Sequence, residues 1–556
     1  MAATAQPLAT QAALDVLKAG GSAVDAAIAA NAVLGLVEPV ANGIGGDLFA
    51  LVWDPKAKKL HGLDASGAAP AGVDVAALRR RYADGVIQPA SVDAITVPGA
   101  VAGWAALHER FGKLPLAQVL QPAIAMAREG FPVSPIVAEQ WERNLRRLGE
   151  RQATIPEWGN TLSVYAPSGK PPAAGQVFAN PDLARTYALI AERGADGFYR
   201  GPIAADIDAH FRRVGGPMRA SDLAAMRAEW VEPISAPYRG YTVWQMPPAT
   251  QGLTTLQMLR LIERFDLKAM GFGSADALHV MAEAKKLAFA DRAQFLADPR
   301  VVKIPVRELL SDGYTAKRAS LIRMDRAMPD QPPAGVPADW LAGQPTSRQA
   351  NADPSARSDT TYLTVADSSG MMVSLIQSNY RGMGSGVVAK ASPARGGGTL
   401  GFIFQNRGAQ FSLGRQAANL IAPGKRPFHT IIPGFVTKDG EPFLSFGVMG
   451  GSMQPQGQAQ VLVNIVDHGM DPQAAGDAPR FRHIGSADPG DGQEPPSLYL
   501  ESQIGPQVRA ELQRRGHVLK TGPDDVGGYQ AILWDAKNRV YWGATEMRKD
   551  GQAAGY

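Results

Sequence analysis

The chain has no cysteine in 556 residues, which excludes disulfides, thiolate metal sites and a cysteine nucleophile together. Charge is sparse as well, with Asp, Glu, Lys and Arg at 19% and 56 basic against 52 acidic residues. The net +4 is too diffuse to argue for nucleic acid, even at a pI of 9.0. No apolar run suggests a membrane span: the richest early stretch, Ala26 to Val37, contains Asn31, and MAATAQPLATQAALDVL lacks a basic region followed by a long apolar one. The expectation is a soluble protein, cytoplasmic if the chain begins here and periplasmic or secreted if a leader preceded it. G-x-S-x-G, H-E-x-x-H and G-x-x-x-x-G-K-[ST] are all missing, and the eight histidines are scattered without ligand spacing. No metal or cofactor is expected. What is present, 45% hydrophobic residues at a mean hydropathy of -0.13, describes a globular chain with a large core.

The first forty residues read as two helices, from about Thr10 to Lys18 and from Ser22 onward, broken at Gly20 and Gly21. Ser22 with Asp25 forms a capping signature, and small residues dominate the second helix. Pro115 to Gly130 and Ser274 to Leu296 carry further helix-compatible apolar patterns. From about Met324 to Asp359 the sequence turns proline-rich, poor in aliphatic residues and aperiodic. It reads as an exposed, mobile connector. The glycines of NGIGGD (Asn42 to Asp47) follow a helix pattern where a nucleotide fingerprint needs a strand, so they read as a turn in a packed junction.

After the connector the pattern switches to strands. Thr360 to Asp367 and Met371 to Ser378 flank Ser368-Ser369-Gly370, which suits a three-residue hairpin loop. In that register Leu363 meets Leu375, Val365 meets Val373 and Thr364 meets Ser374. The aliphatic pairs share one face, and Thr360 falls opposite Ser378. A second hairpin, TIIPGFV and PFLSFGV around Lys438-Asp439-Gly440, leads through Met449-Gly450-Gly451 into a helical pattern. A third, YQAILWD and RVYWGAT, closes a strand-rich final third.

Thr360 stands at the boundary between connector and strand. A threonine that becomes a chain N-terminus carries a nucleophilic hydroxyl and an α-amine of pKa about 8 that serves as its base. No histidine is then required, but the chain must be cut between Asp359 and Thr360. Gly450 and Gly451 at a helix start offer two N–H groups for the oxyanion. Taken singly, each feature also reads as an ordinary strand end or turn.

Together these residues resemble the γ-glutamyltranspeptidase family of N-terminal-nucleophile hydrolases. The resemblance covers nearly the whole chain: PLATQAALDVLKAGGSAVDAAIAANA, NGIGGD, TVPGAVAGW, EGFPVSP, DTTYLTVAD, GKRPFHTIIP and GVMGGSMQPQGQ occur in the family's order and spacing. It implies an α+β, four-layer αββα sandwich and a proenzyme that cleaves itself into a large subunit, 1–359, and a small subunit, 360–556, which stay intertwined. It implies Thr360 as nucleophile, Thr361 as a neighbour that positions it, Ser378 as its hydroxyl partner and Gly450 with Gly451 as the oxyanion hole. The implied partners are a small amide or γ-glutamyl substrate and the two subunits themselves.

The departures lie in substrate recognition. Where the resemblance implies an arginine for the substrate α-carboxylate this chain has Ser66, and where it implies an aspartate for the amino group it has Gln410. An asparagine becomes Tyr380, and a serine pair becomes His429-Thr430. Arg407 and His429 are replacement binders for a carboxylate, though each has an equally available structural reading. γ-Glutamyl hydrolysis or transfer is the family default. One alternative is an amidohydrolase or acylase of the cephalosporin-acylase-like or oxamate-amidohydrolase-like kind. Another, of a different class, is an uncleaved binding protein.

Overall fold

Ser22 starts the small-residue helix as the sequence predicts. Its hydroxyl accepts from Asp25 N–H at 3.1 Å and the Asp25 carboxylate accepts from Ser22 N–H at 2.9 Å, closing a capping box. That helix, α2 (Ala23–Val37), is buried along its whole length. Its mid-helix polar residue, Asn31, donates to Gln377 Oε1 and accepts from Trp104 Nε1, so both ends of the buried amide are hydrogen-bonded. Helix α1 (Pro7–Lys18) starts three residues before the expected Thr10, because the Gln6 side chain caps Leu8 N–H at 2.7 Å. Helix α3 (Leu116–Glu129) falls where the apolar pattern placed it.

The computed structural model describes residues 1–337, 360–414, 417–485, 496–522 and 526–556. Two antiparallel sheets form its centre. The first runs, in spatial order, Gln552–Ala554 (β13), Ala2–Thr4 (β1), Thr361–Ala366 (β7), Met372–Ser378 (β8), Asp47–Asp54 (β2), Lys59–Ala65 (β3) and Glu229–Val231 (β4). The second runs Val540–Ala544 (β12), Tyr529–Asp535 (β11), Glu441–Val448 (β10), Gly434–Lys438 (β9), Tyr241–Gln245 (β6) and Ile234–Tyr238 (β5). Their inner faces meet: Thr364 and Ser445 hydroxyls lie 2.7 Å apart, and a Cβ on Gly447 would come within 2.4 Å of the Tyr362 ring. Helix α2 packs on β7 and β8. Helices α4 (Gly252–Ile262) and α6 (Met453–Val466) pack on the second sheet, and α5 (Ala275–Phe295), capped by Ser274, lies against α4. The result is the four-layer αββα sandwich that the resemblance implied.

Strands from both sides of the expected cut interleave. β7 and β8 sit between β1 and β2, and the Met1 amine donates to Ala366 O at 2.9 Å. Leu363, Val365, Val373 and Leu375 are fully buried there, each side chain worth about 1.5–3 kcal/mol. Residues on both sides of the expected cut are thus built into one sheet.

Two expectations change. The second hairpin begins at Gly434 rather than Thr430, because residues 429–433 spend their polar groups on other elements: Thr430 accepts from Arg407, and Ile432 N–H donates to Gln454 Oε1. Within the connector, 324–337 holds no helix or strand but is fastened to α5. Met328 N–H donates to Glu283 and Gly335 N–H to Asp291, both at 2.7 Å. The rest of the connector, 338–359 with Asp359, lies outside the described residues. No helix among the described residues is long and apolar enough to cross a membrane.

Candidate active site

The β7–β8 register is the one the sequence predicts, with Thr364 opposite Ser374 and Thr361 opposite Gln377. One step further, Thr360 Oγ1 donates to Ser378 Oγ at 3.2 Å. Ser378 Oγ also accepts from Tyr380 N–H at 2.8 Å, and Tyr380 takes a left-handed φ of 78° to turn the chain back over the hairpin end. Thr361 is buried, with no hydrogen-bond partner for its hydroxyl among the described residues. Across the strands, Ser378 pairs with Asp47 on β2, and Ser66 follows β3 beside Asp47. Thr360, Ser378, Asp47 and Ser66 thus form one row over four strands. At about 4.8 Å per strand, Ser66 lies roughly 14 Å from Thr360.

The second sheet supplies the glycines. Tyr362 faces Gly447 and Thr364 faces Ser445, so each two-residue step back along β7 matches one forward along β10. That progression carries Thr360 to Met449, with Gly450 (φ 106°) and Gly451 (φ 58°) next. Both conformations favour glycine. Their carbonyls accept from Met453 and Gln454 at the start of α6, while neither N–H makes a backbone hydrogen bond among the described residues. Two such donors beside a hydroxyl pair can receive an oxyanion.

The recognition residues separate into two groups. Ser66 is committed: its N–H and hydroxyl both donate to Asp64 Oδ1, at 2.9 and 2.6 Å, and Asp64 pairs with Arg426 at 3.2 Å. Burial raises the Asp64 pKa against the pull of Arg426. The second group gathers around Arg407, which is fully buried, donates Nη1 to Thr430 Oγ1 at 2.9 Å and lies 4.6 Å from the Tyr380 ring centre. Its Nε and Nη2 have no hydrogen-bond partner among the described residues. Burial brings its pKa down to about 10 while Asp47 holds it up, so it is protonated at neutral pH. His429 lies 3.8 Å from Asp47 and edge-on to Phe49, with no hydrogen bond at either ring nitrogen. Burial, Arg407 and Arg426 push its pKa well below the usual range. Gln410 Oε1 and Asp47 Oδ2 also lack hydrogen-bond partners among the described residues.

Each buried group left without a partner costs about 1–3 kcal/mol. Arg407, His429, Gln410 and Asp47 thus concentrate unpartnered polar atoms in one buried region beside Thr430 and Tyr380. Burial removes the reading of Arg407 as a surface residue and leaves that of a structural arginine, and His429 is not hydrogen-bonded as a satisfied loop histidine would be.

Sequence reasoning missed two residues. Asp47 ends the NGIGGD turn, and burial drives its pKa up to about 7 against Arg407, Gln405 and the Gly67 N–H. Gln251 lies just before α4 and donates to the carbonyls of Thr430 and Gly451. An acid closing a glycine turn was a visible signal for the first; no spacing marked the second. Among the described residues, His279, Glu283 and His517 form the one grouping of metal-ligand type. Its two histidines bond to each other at 2.8 Å, and Lys286 places an ammonium 2.9 Å from Glu283, where a cation would sit.

If Thr360 is freed as an N-terminus and its α-amine is the base, kcat should rise with pH as that amine loses its proton, levelling above about pH 8. His429→Gln should leave that limb in place. Ionisation of Asp47 through about pH 7 puts a negative charge beside Arg407, so the affinity of the site for an anion should fall, and KM for an anionic substrate rise, over that interval. Separate kcat and KM profiles check both.

A sequence model described as gamma-glutamyltranspeptidase matches residues 9–556. The chain is 35% identical to the glutathione hydrolase-like YwrD proenzyme of Bacillus subtilis, over 99% of this chain and 97% of that one. It is 34% identical to the oxamate amidohydrolase proenzyme of Klebsiella pneumoniae, over 100% and 98%. The crystal structure of cephalosporin acylase from Bacillus halodurans superposes with a TM-score of 0.89 at 40% identity, covering 100% of this chain and 95% of that one.

Proposed function

Because the chain belongs to the gamma-glutamyltranspeptidase family of N-terminal-nucleophile enzymes, we propose that its amide cleavage runs through Thr360, released as an N-terminus by scission of the Asp359–Thr360 bond. The α-amine takes the hydroxyl proton as Oγ1 attacks the amide carbon, and the N–H groups of Gly450 and Gly451 receive the oxyanion. The same amine returns the proton to the leaving nitrogen, and water or an amine then releases the acyl group. Ser378 holds Thr360 Oγ1 in one orientation, and Thr361 fixes the strand start behind it.

The acyl group we assign is one that ends in a carboxylate and carries no α-amino group. The observation behind this is Arg407, a buried cation with two N–H groups unpartnered among the described residues. A carboxylate takes such a pair of donors side by side. Neutral Gln410 offers no charge for an ammonium, and Ser66 is held by Asp64. Thr430, Tyr380 and His429 form the remaining wall. The oxamate amidohydrolase relative acts, by its name, on an amide whose acyl part bears a carboxylate. A glutathione hydrolase-like relative keeps γ-glutamyl chemistry as the second reading.

Anilides of glutaric acid, butyric acid and γ-glutamate test the assignment. Charge-assisted hydrogen bonds worth about 1.5–3 kcal/mol each should put kcat/KM for the glutaryl anilide at least tenfold above the butyryl one, with the γ-glutamyl anilide below the glutaryl. A γ-glutamyl preference would return the enzyme to the family default.

A further inference from the structure

Two consecutive glycines at positive φ give the Gly450–Gly451 turn more backbone freedom than any other pair of residues would. An oxyanion site is effective only when its donors are already in place. The turn's stiffness must therefore come from groups that grip it, and Gln251 is one of them. It is fully buried, and its own N–H donates to His429 O at 3.0 Å. Its two side-chain N–H bonds are divided between Thr430 O at 2.5 Å and Gly451 O at 2.8 Å. Its Oε1 accepts from Arg292, whose guanidinium lies 3.6 Å from the Phe289 ring centre and whose Nη2 reaches Ser452 Oγ at 3.4 Å. Every polar atom of the Gln251 side chain is thus used, which pins the plane of its amide.

The two carbonyls it grips belong to different parts of the site. Thr430 is the residue that holds Arg407 in the acyl pocket, and Gly451 is half of the glycine turn. We infer that Gln251 is a positioning residue that fixes the oxyanion-binding turn against the acyl pocket, acting through the Gly451 and Thr430 carbonyls without touching the substrate. The inference rests on the reading of Gly450 and Gly451 as oxyanion donors.

The test compares Gln251→Leu, which keeps the volume and removes all three hydrogen bonds, with Gln251→Glu, which keeps an acceptor for Arg292 and removes both donors. Both are assayed as cleaved protein with glutaryl anilide and with a glutaryl-like boronic acid that forms a tetrahedral adduct on the nucleophile. Gln251→Glu decides the matter if the leucine variant fails to fold. Expected is a fall in kcat of about 10- to 100-fold, an equal weakening of boronate inhibition and a KM within about twofold of the unmodified enzyme. Unchanged kcat, or kcat loss with boronate affinity retained, overturns the inference. Failure of the unmodified enzyme to cleave or to bind the boronate would instead reject the Thr360 mechanism.

Discussion

Thr360→Ala should remain a single band at full length and lose all turnover, while the unmodified chain resolves into two fragments on a denaturing gel. Scaling 58.9 kDa by 359 and 197 of 556 residues gives about 38 and about 21 kDa, the smaller beginning TTYLTVAD, because the nucleophile's base exists only after the cut. The fragments should separate only under denaturing conditions. β7 and β8 are flanked on both sides by strands of the large fragment, so the sheet cannot part without unfolding. Thr360→Ser keeps the hydroxyl and the amine and should retain cleavage. An uncleaved binding protein would give one band in every variant.

Arg407→Met carries the second large effect. Removing one member of a buried, hydrogen-bonded charge pair costs about 2–5 kcal/mol, so kcat/KM on glutaryl anilide should fall by about 30- to 5,000-fold. Butyryl anilide, with no carboxylate to lose, should change by less than about tenfold, and the ratio between the two substrates is the diagnostic quantity. Part of any common loss has a separate cause: Thr430 loses a donor at 2.9 Å and Asp47 loses the cation that opposes its burial. Arg407→Lys should rescue little, since a point charge on a flexible stem does not reproduce two fixed N–H bonds. Equal losses on both substrates would show that Arg407 supports the fold around Tyr380 and is not the carboxylate binder.

The Thr360–Ser378 pairing was legible in the sequence because it depends on local rules. A strand period of two and a three-residue loop ending in Gly370 set the register that brings Thr360 to Ser378. The Ser22 and Ser274 caps were legible for the same reason. Gln251 carried no such signal and Asp47 only its place at the end of a glycine turn, because what matters about them is tertiary: Asp47 enters through a neighbouring strand and Gln251 from a helix start on the opposite sheet. Residues 430–433 looked like strand because Thr430, Ile431 and Ile432 are β-branched, yet their hydrogen bonds go to Arg407, Gln251 and α6. The resemblance to the family placed Ser66 and Gln410 at positions where charged binders are expected. That Ser66 is fully engaged by Asp64, and that Arg407 is buried with donors to spare, emerged only from the packing.

The most direct test of the central claim is the intact mass of the two fragments after brief reaction with a slowly deacylating glutaryl ester. The account predicts one glutaryl group added to the small fragment, mapped to its N-terminal Thr360, and none on the large fragment. Acyl transfer onto any other residue, or turnover by protein that remains at full length, would contradict it.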